Sequence, residues 1–159
     1  MVNVLHSEVD TRAAALAEVH AERLVCRRGC FGCCVDGITV FEVEADRIRD
    51  GASELLASGV PHSSGRCAFL GAEGECRIYE HRPYVCRTQG LPLRWLEEAA
   101  EAEYRDICSL NDEGTPIEEL AAEECWTLGE VEEQLARLNG GRGRVGLREL
   151  FGSRPLLSS

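Results

Sequence analysis

The chain has 159 residues, a formal net charge of −11, only 6% aromatic residues and nine cysteines. A chain of this size buries about 70% of its unfolded surface and needs no metal merely to fold, while its acidity excludes the phosphate neutralisation that supports non-specific nucleic-acid binding. No stretch approaches the roughly 18 uninterrupted apolar residues of a membrane span, and residues 1–25 carry no secretory-type apolar run, so a cytoplasmic protein with no nucleic-acid or membrane partner is expected.

Asp10 or Thr11 is placed to cap a helix through residues 13–19, with Leu16, Val19, Arg23 and Leu24 on one face. Gly29 and Gly32 interrupt it, so Cys26, Cys30, Cys33 and Cys34 fall where a helix end runs into turns. Glycine suits such turns because backbone N–H groups must approach sulfur closely. Residues 36–41, with Ile38, Val40 and Phe41, read as a short strand, and residues 42–56 as a helix burying Val43, Ile48, Leu55 and Leu56. Two short apolar runs, starting at Cys67 and Cys76, flank a polar turn containing Gly71 and Gly74. They predict a hairpin that brings those two cysteines together.

Residues 81–87 start a helix or tight turn with Pro83 in its first turn, and Leu91 is extended because it precedes Pro92. Cys108 and Asn111 then lead to a long acidic helix predicted over residues 117–139, carrying Leu120, Leu128, Val131, Leu135 and Leu138 and stopped by Asn139-Gly140-Gly141. Residues 140–159 read as a mobile, mildly basic tail. The pattern predicts an α+β fold: a small, mostly helical single domain over residues 1–159, with an irregular cysteine-rich metal-binding centre in residues 26–111 and one or two short β-hairpins.

An odd cysteine count leaves one thiol over in any full disulfide scheme, and reduced intracellular thiols read as metal ligands or redox groups. Cys30-Phe31-Gly32-Cys33 has the knuckle spacing that lets two thiolates face one ion. With Cys26 and Cys34 beside it and Cys67, Cys76, Cys86 and Cys108 downstream, eight candidate ligands result. Adjacent Cys33 and Cys34 are expected to serve different roles, and a first site is grouped as Cys30, Cys33, Cys86 and either Cys26 or Cys67. Cys125, beside Trp126, is assigned to packing.

The ordered motifs Cys26-x3-Cys30-x2-Cys33-Cys34, Cys67-Ala-Phe-Leu, Cys76-Arg-Ile-Tyr, Arg82-Pro83, Cys86-Arg87 and Cys108-x-Leu-Asn111 resemble the YkgJ-type cysteine-cluster family, zinc- or iron-chelating domains with a CxxxCxxCC signature. The resemblance covers residues 26–111. It implies metal binding, with an iron–sulfur cluster of the 4Fe–4S type as the favoured cofactor and zinc as the alternative. Arg82 and Arg87, inside the shared motifs, are expected beside the centre, where guanidinium groups offset thiolate charge and raise a cluster's reduction potential.

Three functions compete on the sequence: an iron–sulfur protein with a redox or electron-transfer role, a zinc-stabilised interaction module presenting the acidic helix to a protein partner, and a thiol–disulfide oxidoreductase using Cys30 and Cys33. A radical enzyme using S-adenosylmethionine is disfavoured, because the partial barrel it needs has no counterpart in this pattern. His6, His20, His62 and His81 share no metal-ligand spacing and read as surface residues, with His81 the one near the centre.

Overall fold

The computed structural model describes residues 1–27 and 29–152; Arg28 and residues 153–159, which include the end of the expected tail, lie outside the described residues. In chain order, α1 spans Val2–Val19, β1 Thr39–Phe41, α2 Glu42–Gly51, α3 Ser53–Ser58 and α4 Tyr84–Arg87. Then come β2 at Leu93–Glu97, β3 at Ala102–Asp106, β4 at Trp126–Thr127, α5 at Glu130–Asn139 and β5 at Arg144–Gly146. The fold class is α+β, as predicted, with two small sheets. No helix among the described residues is long and apolar enough to cross a membrane. The chain divides into two compact units, chiefly Asn3–Arg27 with Tyr84–Gln134, and Arg28–Pro83 with Leu135–Ser159.

In the first unit β2 is the central strand, antiparallel to β3 and parallel to β4. Trp126 is buried, donates its indole N–H to the Tyr84 hydroxyl at 2.8 Å and lies under the Arg12 guanidinium. This pairing corrects the helix predicted over residues 117–139. Residues 117–119 and 122–124 form separate single 3-10 turns, Trp126 is drawn into the sheet, and the helix starts only at Glu130 after Gly129 at φ +108°. Glu119 and Glu123 would repel at helical spacing, so burial and strand pairing of Trp126 override local propensity. The start of α1 is also corrected. It runs through Asp10 and Thr11, because Leu5, His6 and Val9 form a buried stripe ahead of them and the Thr11 hydroxyl bonds the Ser7 carbonyl within the helix.

The second unit has one apolar core: Val40, Ala45, Ile48, Ala52, Phe69, Ile78, Leu147 and Leu150. Ala52, at φ −124°, splits the predicted 42–56 helix into α2 and α3. The predicted tail is corrected over its described part. Residues 144–146 pair with β1 through Val40↔Val145, and Leu147 and Leu150 are buried in the core. The Gly140-Gly141 pair marks a turn, with both glycines at positive φ, and the apolar residues beyond it complete the unit.

Candidate metal centre

The second unit holds five of the eight candidate ligands, Cys30, Cys33, Cys34, Cys67 and Cys76, and the last four lie in one neighbourhood. The predicted hairpin forms: Leu70 bridges Cys76, the Gly71 amide donates to the Glu75 carbonyl at 2.7 Å, and the Arg77 amide donates to Phe69 at 3.0 Å. Cys67 and Cys76 therefore stand on its two arms, half-buried against the core. The turn at residues 31–34 is closed by the Cys34 amide on the Phe31 carbonyl, and the Cys67 amide then donates to the Cys34 carbonyl, both at 3.0 Å. That last bond ties the Cys33-Cys34 pair to the hairpin. Gly74, at φ +81°, lets the hairpin tip close on the Cys30 loop; a Cβ there would come within 2.8 Å of the Phe31 ring and 3.2 Å of the Gly29 carbonyl.

Cys33, Cys34, Cys67 and Cys76 feel one another electrostatically, so their sulfurs share one neighbourhood. The Cys34 thiol donates a hydrogen bond to the Cys33 sulfur. This bond, helped by the Cys33 amide and the Arg82 charge, pulls the Cys33 thiol down to about 6 against the partial desolvation of its sulfur. The same bond, with burial and the nearby sulfurs, pushes the Cys34 thiol up. Burial also raises Cys67 and Cys76, while each sulfur accepts the amide two residues ahead, from Phe69 and Ile78. An amide aimed at sulfur from position i+2 is the donor a ligating thiolate needs in place of water.

An ion pair frames this quartet. Arg148 binds Asp36 through two nitrogens at 3.0 and 2.9 Å and donates to the carbonyls of His62, Ser63 and Arg66. Asp36 also accepts the amides of Gly37 and Gly65, both at 3.0 Å, and its carboxyl is held below the usual range by Arg148 first and then by Gly65. The clamp joins the segment just after Cys34 to the loop just before Cys67. Its partners lie 112 residues apart, and no local pattern marks either of them.

Cys30, the fifth candidate of the second unit, lies on the loop that the hairpin tip closes against. Cys26, Cys86 and Cys108 belong to the first unit. The sequence grouped Cys33 with Cys86; within the second unit, the thiols that Cys33 meets are those of Cys34 and Cys76. The structure also brings the sulfurs of Cys33 and Cys34 into contact, where separate roles were expected. Arg82 stacks on Tyr79 at 3.7 Å and its charge reaches Cys33 and Cys76. Arg87 is buried in an ion pair with Asp10 at 2.5 Å. Cys125 is buried beside Ile117 and Leu120. His6 and His20, expected at the surface, are buried; His20 bonds the Glu124 carbonyl at 2.7 Å. The His81 ring packs on Gly51.

Among the described residues, no three thiols, imidazoles or carboxylates are drawn tightly enough to hold an ion as they stand. The donor set of the quartet nonetheless fits a thiophilic metal: four sulfurs in one neighbourhood, three with backbone amide donors and two within reach of the Arg82 charge.

Residues 25–109 match the family model described as "CxxCxxCC: Putative zinc- or iron-chelating domain". The chain belongs to this family. The match takes in all eight candidate ligands and both units, and it leaves out Cys125. Comparison with curated proteins and with solved structures gives no match. The chain is thus a member of a cysteine family named for chelating zinc or iron.

Proposed function

We propose that this CxxCxxCC domain holds an iron–sulfur cluster on Cys33, Cys34, Cys67 and Cys76 and works as a redox or electron-transfer component. The observation that carries the reading is that both members of the adjacent pair face the Cys76 sulfur, with Cys67 beside Cys34 and Cys76 as well. Consecutive cysteines meet a single tetrahedral ion only by straining the peptide between them, whereas a cluster offers each thiolate its own iron. The amides at Cys67 and Cys76 and the charge of Arg82 support the reading further, because donors and positive charge at sulfur raise a cluster's reduction potential. When bound, the cluster supplies one-electron chemistry. The chain's own residues hold the sulfurs, donate to them and leave Cys33 exposed on the side where an electron partner would approach.

Zinc is the second reading. The Cys33 and Cys34 sulfurs are in hydrogen-bond contact, and a four-thiolate zinc site, with Zn–S of about 2.3 Å, likewise brings its sulfurs within about 3.8 Å of one another. The partner surface expected for a zinc module must change, because no continuous helix spans residues 117–139.

Protein prepared without oxygen decides between the two. Brown protein with iron and acid-labile sulfide in equal amounts is the expected result. Colourless protein with stoichiometric zinc and no sulfide supports the second reading and ends the first.

A further inference from the structure

Asn111 has no room for error. It is fully buried, and its carboxamide makes three hydrogen bonds within the first unit. Three of its four positions are filled: Oδ1 accepts one bond, from the Val25 amide at 3.0 Å. One Nδ2 hydrogen goes to the Gly90 carbonyl at 2.8 Å and the other to the Cys26 sulfur at 3.3 Å. The first two bonds fix which end of the amide carries nitrogen, so the donor aimed at sulfur is set by the network. The Asn111 backbone amide donates to the Cys108 carbonyl at 2.7 Å. Gly90, at φ +94°, completes the arrangement: a Cβ there would lie 2.9 Å from the Cys26 sulfur and 3.1 Å from Asn111 Nδ2. One residue thus ties the Cys26 segment, the loop one turn beyond Cys86, and the Cys108 turn.

A neutral Asn–thiol bond of this kind gains little for folding beyond satisfying the amide. A thiolate gains more, since a hydrogen bond to a charged acceptor is about twice as strong as a neutral one. Aspartate at this position would offer oxygen, and glutamine would be too long for three short bonds in a closed space.

We propose that Asn111 is the positioning residue for Cys26 as a metal-ligating thiolate of the first unit: its amide N–H donates to the bound sulfur and fixes the rotamer in which Cys26 binds. The inference rests on the reading that this chain chelates metal through cysteine.

The test titrates cobalt(II) against a chelating competitor in wild type, Asn111→Asp, Cys26→Ala and the double variant, following sulfur-to-cobalt charge-transfer absorption. Asn111→Asp should weaken the Cys26-dependent binding by about 10–100-fold, the range for loss of a partner behind a ligand. It should have no further effect once Cys26 is alanine. Equal effects with and without the Cys26 thiol would overturn the inference and leave the chelation reading standing, whereas wild type that binds no cobalt removes both. Should the aspartate variant not fold, the wild-type Asn111 side-chain amide is followed by NMR on zinc loading. A downfield shift and slower exchange of one amide proton are expected; an unmoved signal contradicts the proposal.

Discussion

Cys33 and Cys34 are joined by a peptide bond and by a hydrogen bond between their thiols, and the two bonds set opposite demands on the pair. The Cys34 proton stabilises the Cys33 thiolate, so in metal-free protein Cys33 is half ionised near pH 6, with Cys34 kept protonated. Its alkylation rate should therefore climb through pH 6 and level off above it, because only the thiolate reacts. In Cys34→Ala the largest lowering cause is gone, and the midpoint should move up toward the ordinary thiol range of about 8.5. An unmoved midpoint in that variant would place the cause elsewhere. Asp36 works in the same direction. Its folded pKa is depressed by Arg148, so the stability it adds is present above the unfolded carboxylate pKa and fades as pH falls through the lower folded value. Asp36→Asn should flatten the acid limb of the stability–pH profile measured by chemical denaturation; an unchanged limb would remove the clamp from the account.

At the scale of elements, the hairpin carrying Cys67 and Cys76 was legible because its information is local: two apolar runs and a turn with glycine in place. Its packing depends on Gly74, which combines positive φ with a close approach to Phe31. Gly74→Ala should destabilise the protein by about 1–3 kcal/mol, the cost of placing a side chain in that backbone region, with the loss read from denaturant midpoints. The predicted 117–139 helix failed for the converse reason. Its leucines and glutamates suit a helix locally, but Trp126 is needed in the sheet beside β2, a demand set by residues some thirty positions earlier. The segment read as a tail was misjudged because Gly140, Gly141 and Gly143 outweighed the apolar residues beyond them. Leu150 is fully buried, so Leu150→Ala should cost about 2–5 kcal/mol. A neutral result in thermal or urea unfolding would return residues 147–150 to the status of a tail.

For the molecule as a whole, the sequence identified the family and offered eight candidate ligands with a first grouping of them. Eight cysteines within residues 26–108 announce metal chemistry through their density and motifs. Which segments meet within each unit depends on contacts that skip along the chain: the Cys67 amide on the Cys34 carbonyl, the Asp36–Arg148 clamp, and Asn111 reaching back to Cys26 across 85 residues. The second unit has an apolar core of its own, and metal would add to that core rather than replace it. The most direct test of the central claim maps metal protection cysteine by cysteine. Metal-loaded and metal-free protein are alkylated under identical anaerobic conditions and every cysteine is quantified by mass spectrometry. The account predicts that Cys33, Cys34, Cys67 and Cys76 become protected together on loading. Protection that leaves any two of these four as reactive as in the metal-free chain would contradict it.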